Sequence, residues 1–173
     1  MSDTLVNKIA NSGLITLRPE EWVHDITPAV IDLKNFLFME LILKEQDFRE
    51  MMKTHDWAQY QGKPICVFCS VDAIIPSWAF MLIATHAIPF TQDIFFGTPE
   101  QWISQRLLRH VDELDITPYI DQRVIIKGCS DGVVIGPEIY MALTNKLVPV
   151  VKSLMFGEPC STVPVYKRPK GAL

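Results

Sequence analysis

From residue 64 onward the chain alternates short apolar runs with longer stretches of helical spacing. Residues 65–69 are apolar without polar alternation, as expected of a strand buried on both faces. Pro76 then opens a helix expected to run to about Ala87, since proline suits the first helical turn. Residues 93–96 form a second predicted strand, closed by Gly97. Thr98, Pro99 and Gln101 mark a helix start: Thr98 caps, Pro99 takes the first position and Gln101 can close a capping box. That helix is expected to reach about Glu113, with Trp102, Leu107 and Val111 turned inward. Residues 123–127 make a third strand. Pro137 opens the last long helix, predicted to end before Gly157 and to be kinked or shortened at Pro149. Residues 163–167 add an edge strand.

The first third is less regular. Gly13 opens a short strand at residues 14–17, which the pair Arg18-Pro19 breaks. Residues 31–43 are strongly apolar and fit helix and strand equally well. Residues 45–55 read as a helix, with Phe48, Met51 and Met52 at helical spacing.

The alternation predicts an α/β fold: a partly parallel sheet with flanking helices. One domain is expected over residues 1–173, with 1–60 as its less regular part and 64–167 as its core. A faint echo runs through that core. Residues 65–89 and 125–149 share an order of parts: apolar strand, Cys-Ser, acid-containing loop (Asp72, Asp131), proline-opened helix, threonine, proline. Trp78 and Tyr140 fall near the two helix starts. Shared βα geometry accounts for this as well as duplication does.

Composition narrows the function. The chain has 173 residues, enough for a substantial core, and a net charge of −4. No overall basic field exists to attract nucleic acid. The basic tail (Lys167, Arg168, Lys170) reads as a solvated end. The N-terminus lacks an apolar signal core, so export is not expected. Residues 73–90 are almost uncharged, but prolines bound them and a spanning helix needs about 20 apolar residues. No membrane span is predicted.

The candidate chemistry is sulfur. The chain has 4 cysteines, too few for a disulfide scaffold, which favours a reducing cytoplasm. Three precede serine: Cys69, Cys129 and Cys160. Cys69 and Cys129 end predicted parallel strands, where ligands gather in open α/β sheets. Cys160 lies in a loop stiffened by Pro159 and Pro164. Cys66 sits within an apolar strand and reads as packing. With Cys69 it forms a CxxC, but residues three apart in a strand face opposite ways. If Cys69, Cys129 and Cys160 converge, soft sulfur donors favour zinc or iron, with His86, Asp72, Glu158 or water as fourth ligand. One obstacle stands in the way. A long last helix would leave Cys160 far from the carboxyl ends of the strands. His24, His55 and His110 sit in polar contexts and read as surface residues. Lys127 and Arg123 read as sheet-edge charges. No Walker loop, GxGxxG or nucleophile elbow occurs, although Ser70, His86 and Asp72 would supply a triad on paper.

The runs ANSGLITL (10–17), HDW (55–57), CSVDAIIPSWAFMLIATH (69–86), IKGCS (126–130) and SLMFGEPCSTVPVYK (153–167) resemble a family of uncharacterised bacterial proteins of the Bacteroidota, a domain of unknown function. The resemblance covers nearly the whole chain. It brings no established activity or catalytic residues. It implies a metal or sulfur context, with iron–sulfur assembly proteins as partners. Two function classes follow. One is a metal- or sulfur-handling accessory protein using Cys69, Cys129, Cys160 and His86. The other is a non-enzymatic module that pairs with a second copy through an apolar surface including Phe36, Phe38, Met39, Met51 and Met52.

Overall fold

A computed structural model describes residues 14–23, 26–128, 134–158 and 161–169. The fold is α/β, with largely parallel strands flanked by four helices, as the alternation predicts. Its residues gather into two compact units. One comprises Met1–His24 and Ser104–Leu173; the other is Asp25–Ile103.

The Asp25–Ile103 unit holds three parallel strands: β2 (Ala29–Asp32), β3 (Ile65–Phe68) and β4 (Ile94–Phe96), in the order β2-β3-β4. Helix α1 (Glu45–Thr54) precedes β3, and α2 (Ser77–Ala87) joins β3 to β4. Alternation along β3 sends Ile65 and Val67 into a cluster with Phe48, Met52, Ala79 and Ile83. Strand β2 falls at the start of the segment whose state the sequence left open. A short 3-10 turn, Leu33–Phe36, ends it, because Asp32 accepts the Lys34 N–H at 3.0 Å.

The other unit holds β1 (Leu14–Leu17), β5 (Arg123–Ile126), β6 (Ser153–Glu158) and β7 (Ser161–Lys167), in the order β1-β5-β6-β7. The first three are parallel; β7 returns antiparallel along β6. Helix α4 (Pro137–Leu147) joins β5 to β6. Helix α3 (Pro99–Glu113) contains the division between the units. Its capping box forms as expected, with Thr98 N–H on Gln101 Oε1 at 2.9 Å and Gln101 N–H on Thr98 Oγ1 at 3.4 Å.

The last helix departs from expectation. It ends at Leu147, and Pro149 lies beyond it in a turn. Proline lacks the N–H that would continue the ladder, while Val148 N–H still reaches Thr144 O at 3.0 Å. Residues 153–158, placed by the sequence reading at the helix's end, form β6 instead.

The echo extends much further than the core strands. Each unit contains one copy of the same motif. Phe48 and Met52 of α1 match Leu107 and Val111 of α3, and all four are buried. Asp56 Oδ1 accepts the Ala58 N–H, as Asp115 Oδ1 accepts that of Thr117. Each turn passes through a positive φ, 71° at Gly62 and 57° at Asp121. The N–H groups of these residues reach Phe90 O and Val150 O, both at 2.9 Å. Strands β3 and β5 follow, then α2 and α4, then Pro89 and Pro149. Phe80 packs edge-on to Phe96 at 5.1 Å, and Tyr140 to Phe156 at 5.2 Å, each at 88°. Phe80, rather than Trp78, is therefore the counterpart of Tyr140. Each copy closes on a glycine with positive φ, 139° at Gly97 and 119° at Gly157.

Candidate functional site

The carboxyl ends of β1, β5 and β6 meet at one end of their sheet, because the three strands are parallel and in register at Leu17, Ile126 and Phe156. This removes the obstacle raised by the sequence. Strand β6 carries the chain back toward the end where β5 finishes. Gly128, directly before Cys129, lies against the Phe156 ring: a Cβ there would stand 2.5 Å from Phe156 Cζ. Glu158, two residues before Cys160, ends β6. Cys129 and Cys160 themselves lie outside the described residues, as does Asp131.

At this end one group, Glu20, was not read from the sequence, and another, Lys127, was read as a sheet-edge charge. Glu20, in the 3-10 turn Pro19–Trp22 after β1, is buried. Its Oε1 stands 3.1 Å from Lys127 Nζ, and its Oε2 finds no hydrogen-bond partner among the described residues. Lys127 directly follows β5, and its N–H donates to Leu17 O at 2.9 Å. Lys127 is therefore the counter-charge of a buried carboxylate rather than an edge charge. The only hint in the sequence was an acid just past a strand-ending proline.

The same sheet end in the other unit is built differently. Asp32 accepts N–H bonds from Lys34 and Ser70, each at 3.0 Å. Burial alone would raise the Asp32 pKa. The bonds from Ser70 and Lys34, with the Lys34 charge, outweigh it and hold the carboxyl below its usual range. Ser70 is thus engaged as a capped turn residue. Cys69 is half-buried against the α2-side core, and both it and Cys66 are free thiols. Cys66 is fully buried, and burial, with Asp93 and Glu100 nearby, pushes its thiol up to about 11. It packs, as its setting in the strand implied.

His86 stacks on Trp57 with centroids 5.5 Å apart and planes 9° from parallel. His55 is no surface residue. It lies edge-on to Trp57 at 4.8 Å, and its Nε2 is 2.9 Å from Tyr60 Oη. Burial lowers its pKa, against the opposing charge of Asp56. His110 packs on Trp22 at 5.7 Å and is likewise half-buried. His24 is outside the described residues.

Cys69 and His86 fall in one unit, while Cys129 and Cys160 fall within the residue range of the other. Among the described residues no group of three or more histidine, cysteine or acidic side chains is arranged to hold a metal. Nor is any described helix long and apolar enough to cross a membrane. An apolar cleft of about 340 Å³ beside α4 and β6 is lined by Tyr140, Met141, Leu154 and Phe156 among others. Among the described residues its lining has no carboxylate, imidazole or thiol, which turns attention to the polar sheet end.

Neither the curated proteins nor the solved structures contain a match to this chain. Residues 3–168 match the model of the family described as protein of unknown function, DUF2480, and the chain belongs to that family.

Proposed function

We propose that the chain is a thiolate-centred accessory protein of the cytoplasm, holding zinc or iron through Cys129 and Cys160 at the carboxyl end of β1, β5 and β6. One observation carries this reading: the adjacent parallel strands β5 and β6 end at Ile126 and Glu158, three and two residues before Cys129 and Cys160 in the chain. Carboxyl ends of strands are where open α/β sheets bind ligands. Soft sulfur donors suit zinc and iron. The free thiols of Cys66 and Cys69 agree with a reducing compartment. Cys69 and His86 keep their packing roles in this reading.

The test is metal content. The full chain, reconstituted without oxygen with Zn²⁺ or Fe²⁺ and desalted, should retain metal. Cys129→Ala and Cys160→Ala should each lose it, while Cys69→Ala keeps it. Retention by both of the first two variants, or no binding by the parent chain, overturns the reading.

A second reading, self-association, is favoured by residues 38–42. Phe38, Met39, Leu41 and Ile42 are all exposed around a tight turn with positive φ at Met39 and Glu40. Met52, by contrast, is buried within its own unit, and Phe36 and Met51 pack against that core. Of the anticipated surface, Phe38 and Met39 are exposed, and Phe36 and Met51 are half-buried. Sedimentation should show association that Met39→Asp and Leu41→Asp abolish; a strict monomer removes the idea.

A further inference from the structure

We propose that the amino ends of β5 and β6, together with the last residues of β7, form a binding site for the pyrophosphate group of a small soluble molecule. The inference is independent of the thiolate reading and concerns the opposite end of the same sheet. Open α/β sheets bind ligands at the carboxyl ends of their strands. Here β7 runs antiparallel to β6 and brings its own carboxyl end to the amino ends of the others. Arg123, Ser153 and Lys167 are register partners across the three strands, so their side chains leave the same face of the sheet. Two cations thus flank a serine hydroxyl across roughly 10 Å, which is two strand spacings. Lys152 and Arg168 come next in the ladder, with the Arg168 N–H donating to Lys152 O at 3.0 Å. With Asp121, these residues line an open cavity of about 520 Å³, a size that suits a small ligand.

The basic segment that the sequence presents as a solvated end is fixed to the sheet as far as Arg168. The Arg168 guanidinium pairs with Asp121 and donates to Val150 O at 2.6 Å. That pairing neutralises the one acid in the cavity wall. Among the described residues neither Lys152 nor Lys167 forms an ion pair. Like charges gathered on one sheet face repel. The fold does not call for them: in the other copy of the motif Pro64, Gln92 and Asp93 stand at the positions of Arg123, Lys152 and Ser153. An anion seated among the cations turns that repulsion into charge-assisted hydrogen bonds. Four cations in two adjacent rows exceed what a single phosphate engages, which points to two linked phosphates. Among the described residues no aromatic ring lines the cavity, so it recognises phosphate and not a base. The net charge of −4 disfavours a long polyanion, whereas a small anion feels only charges within a Debye length of about 8 Å.

The experiment is isothermal titration calorimetry of the full chain at about 0.15 M salt. Inorganic pyrophosphate is the probe, and orthophosphate, ADP and a single-stranded oligonucleotide are the comparisons. Pyrophosphate should bind, and more tightly than orthophosphate. Lys152→Gln and Lys167→Gln should each weaken it about 10-fold. Both lysines are exposed, so circular dichroism should show the parent fold in each variant. Lys63→Gln, which removes an exposed lysine beside Pro64 in the other copy, should bind as the parent does. ADP bound as tightly as pyrophosphate supports the site with a nucleotide as the source; pyrophosphate bound alone supports it with an inorganic source. No binding of pyrophosphate, parent-like affinity in both cavity variants, or an equal loss in Lys63→Gln overturns the site. Orthophosphate bound as tightly as pyrophosphate overturns the pair of phosphates, and an oligonucleotide bound where pyrophosphate is not overturns the small-molecule ligand.

Discussion

Replacing Lys127 with methionine isolates the cost of a buried carboxylate. The two side chains are 19% and 10% exposed, and Nζ lies 3.1 Å from Oε1. Water screens such a pair weakly, unlike an exposed one worth about 0–1 kcal/mol. Methionine keeps the stem of lysine and removes the charge. Glu20 would then lose the ion pair on Oε1, while Oε2 has no partner among the described residues, a loss of about 3–5 kcal/mol. For a chain of this size that corresponds to a fall in Tm of roughly 6–20 °C. Glu20→Leu with Lys127→Met removes both charges and should recover most of the loss. The assay is urea unfolding with chelator present, followed by circular dichroism and completed as a double-mutant cycle. Chelation matters because bound metal would add its own linkage to stability. A cost below about 1 kcal/mol for Lys127→Met would refute the reasoning, since it would place the pair among screened surface contacts. So would a double variant as unstable as the sum of the singles.

Other outcomes follow from single contacts. Gly157→Ala should be much costlier than Gly62→Ala: a Cβ at Gly157 would meet Ser161 O at 2.6 Å with φ at 119°, whereas Gly62 has φ 71° and open space. Urea midpoints should show a loss of about 1 kcal/mol at Gly62 and clearly more at Gly157; equal losses would contradict the geometry. Cys66, with its thiol pushed up to about 11, should resist iodoacetamide in the native chain while Cys69 reacts. Mass spectrometry showing Cys66 labelled as fast as Cys69 would contradict its burial. Asp32→Ala removes the acceptor for Lys34 and Ser70 and should cost about 1 kcal/mol at neutral pH. Because its folded pKa is lowered, that contribution is present above the ordinary carboxylate value of 3.8 and is lost as pH falls through the lowered one. The gap between parent and variant in urea melts should close over that acidic range and persist at pH 7.

What was legible in the sequence was local. The start of α3 carries its own capping box, and α2 and α4 each open at a proline, so their positions needed no tertiary information. Strands β3, β4 and β5 are short apolar runs next to breakers. The hidden parts were β2 and β6. Strand β2 runs straight into a 3-10 turn, with Asp32, Lys34 and Asn35 interleaved with Leu33 and Phe36, a pattern that fits helix and strand alike. Strand β6 follows Pro149 so closely that helix and strand merge into one apolar run. Losing β6 misplaced the Cys160 loop. The Glu20–Lys127 pair was out of reach, because its partners meet only when β1 and β5 align across a long span of chain.

The two copies of the motif separate what the fold needs from what it does not. Positions alike in both units, such as the Phe80–Phe96 and Tyr140–Phe156 pairs and the closing glycines, serve the shared backbone geometry. Positions that differ are free of that demand. At the carboxyl ends of the strands the copies diverge most in chemistry. One closes its end with Asp32 bonded to Ser70 and Lys34, which satisfies the local backbone donors. The other has Arg18 where Asp32 stands, and a buried acid, Glu20, whose Oε2 has no partner among the described residues. A fold that can be closed by ordinary capping, yet in one copy buries a carboxylate whose second oxygen has no partner among the described residues, carries a costly feature there. Chemistry at that sheet end is the physical reason to keep it.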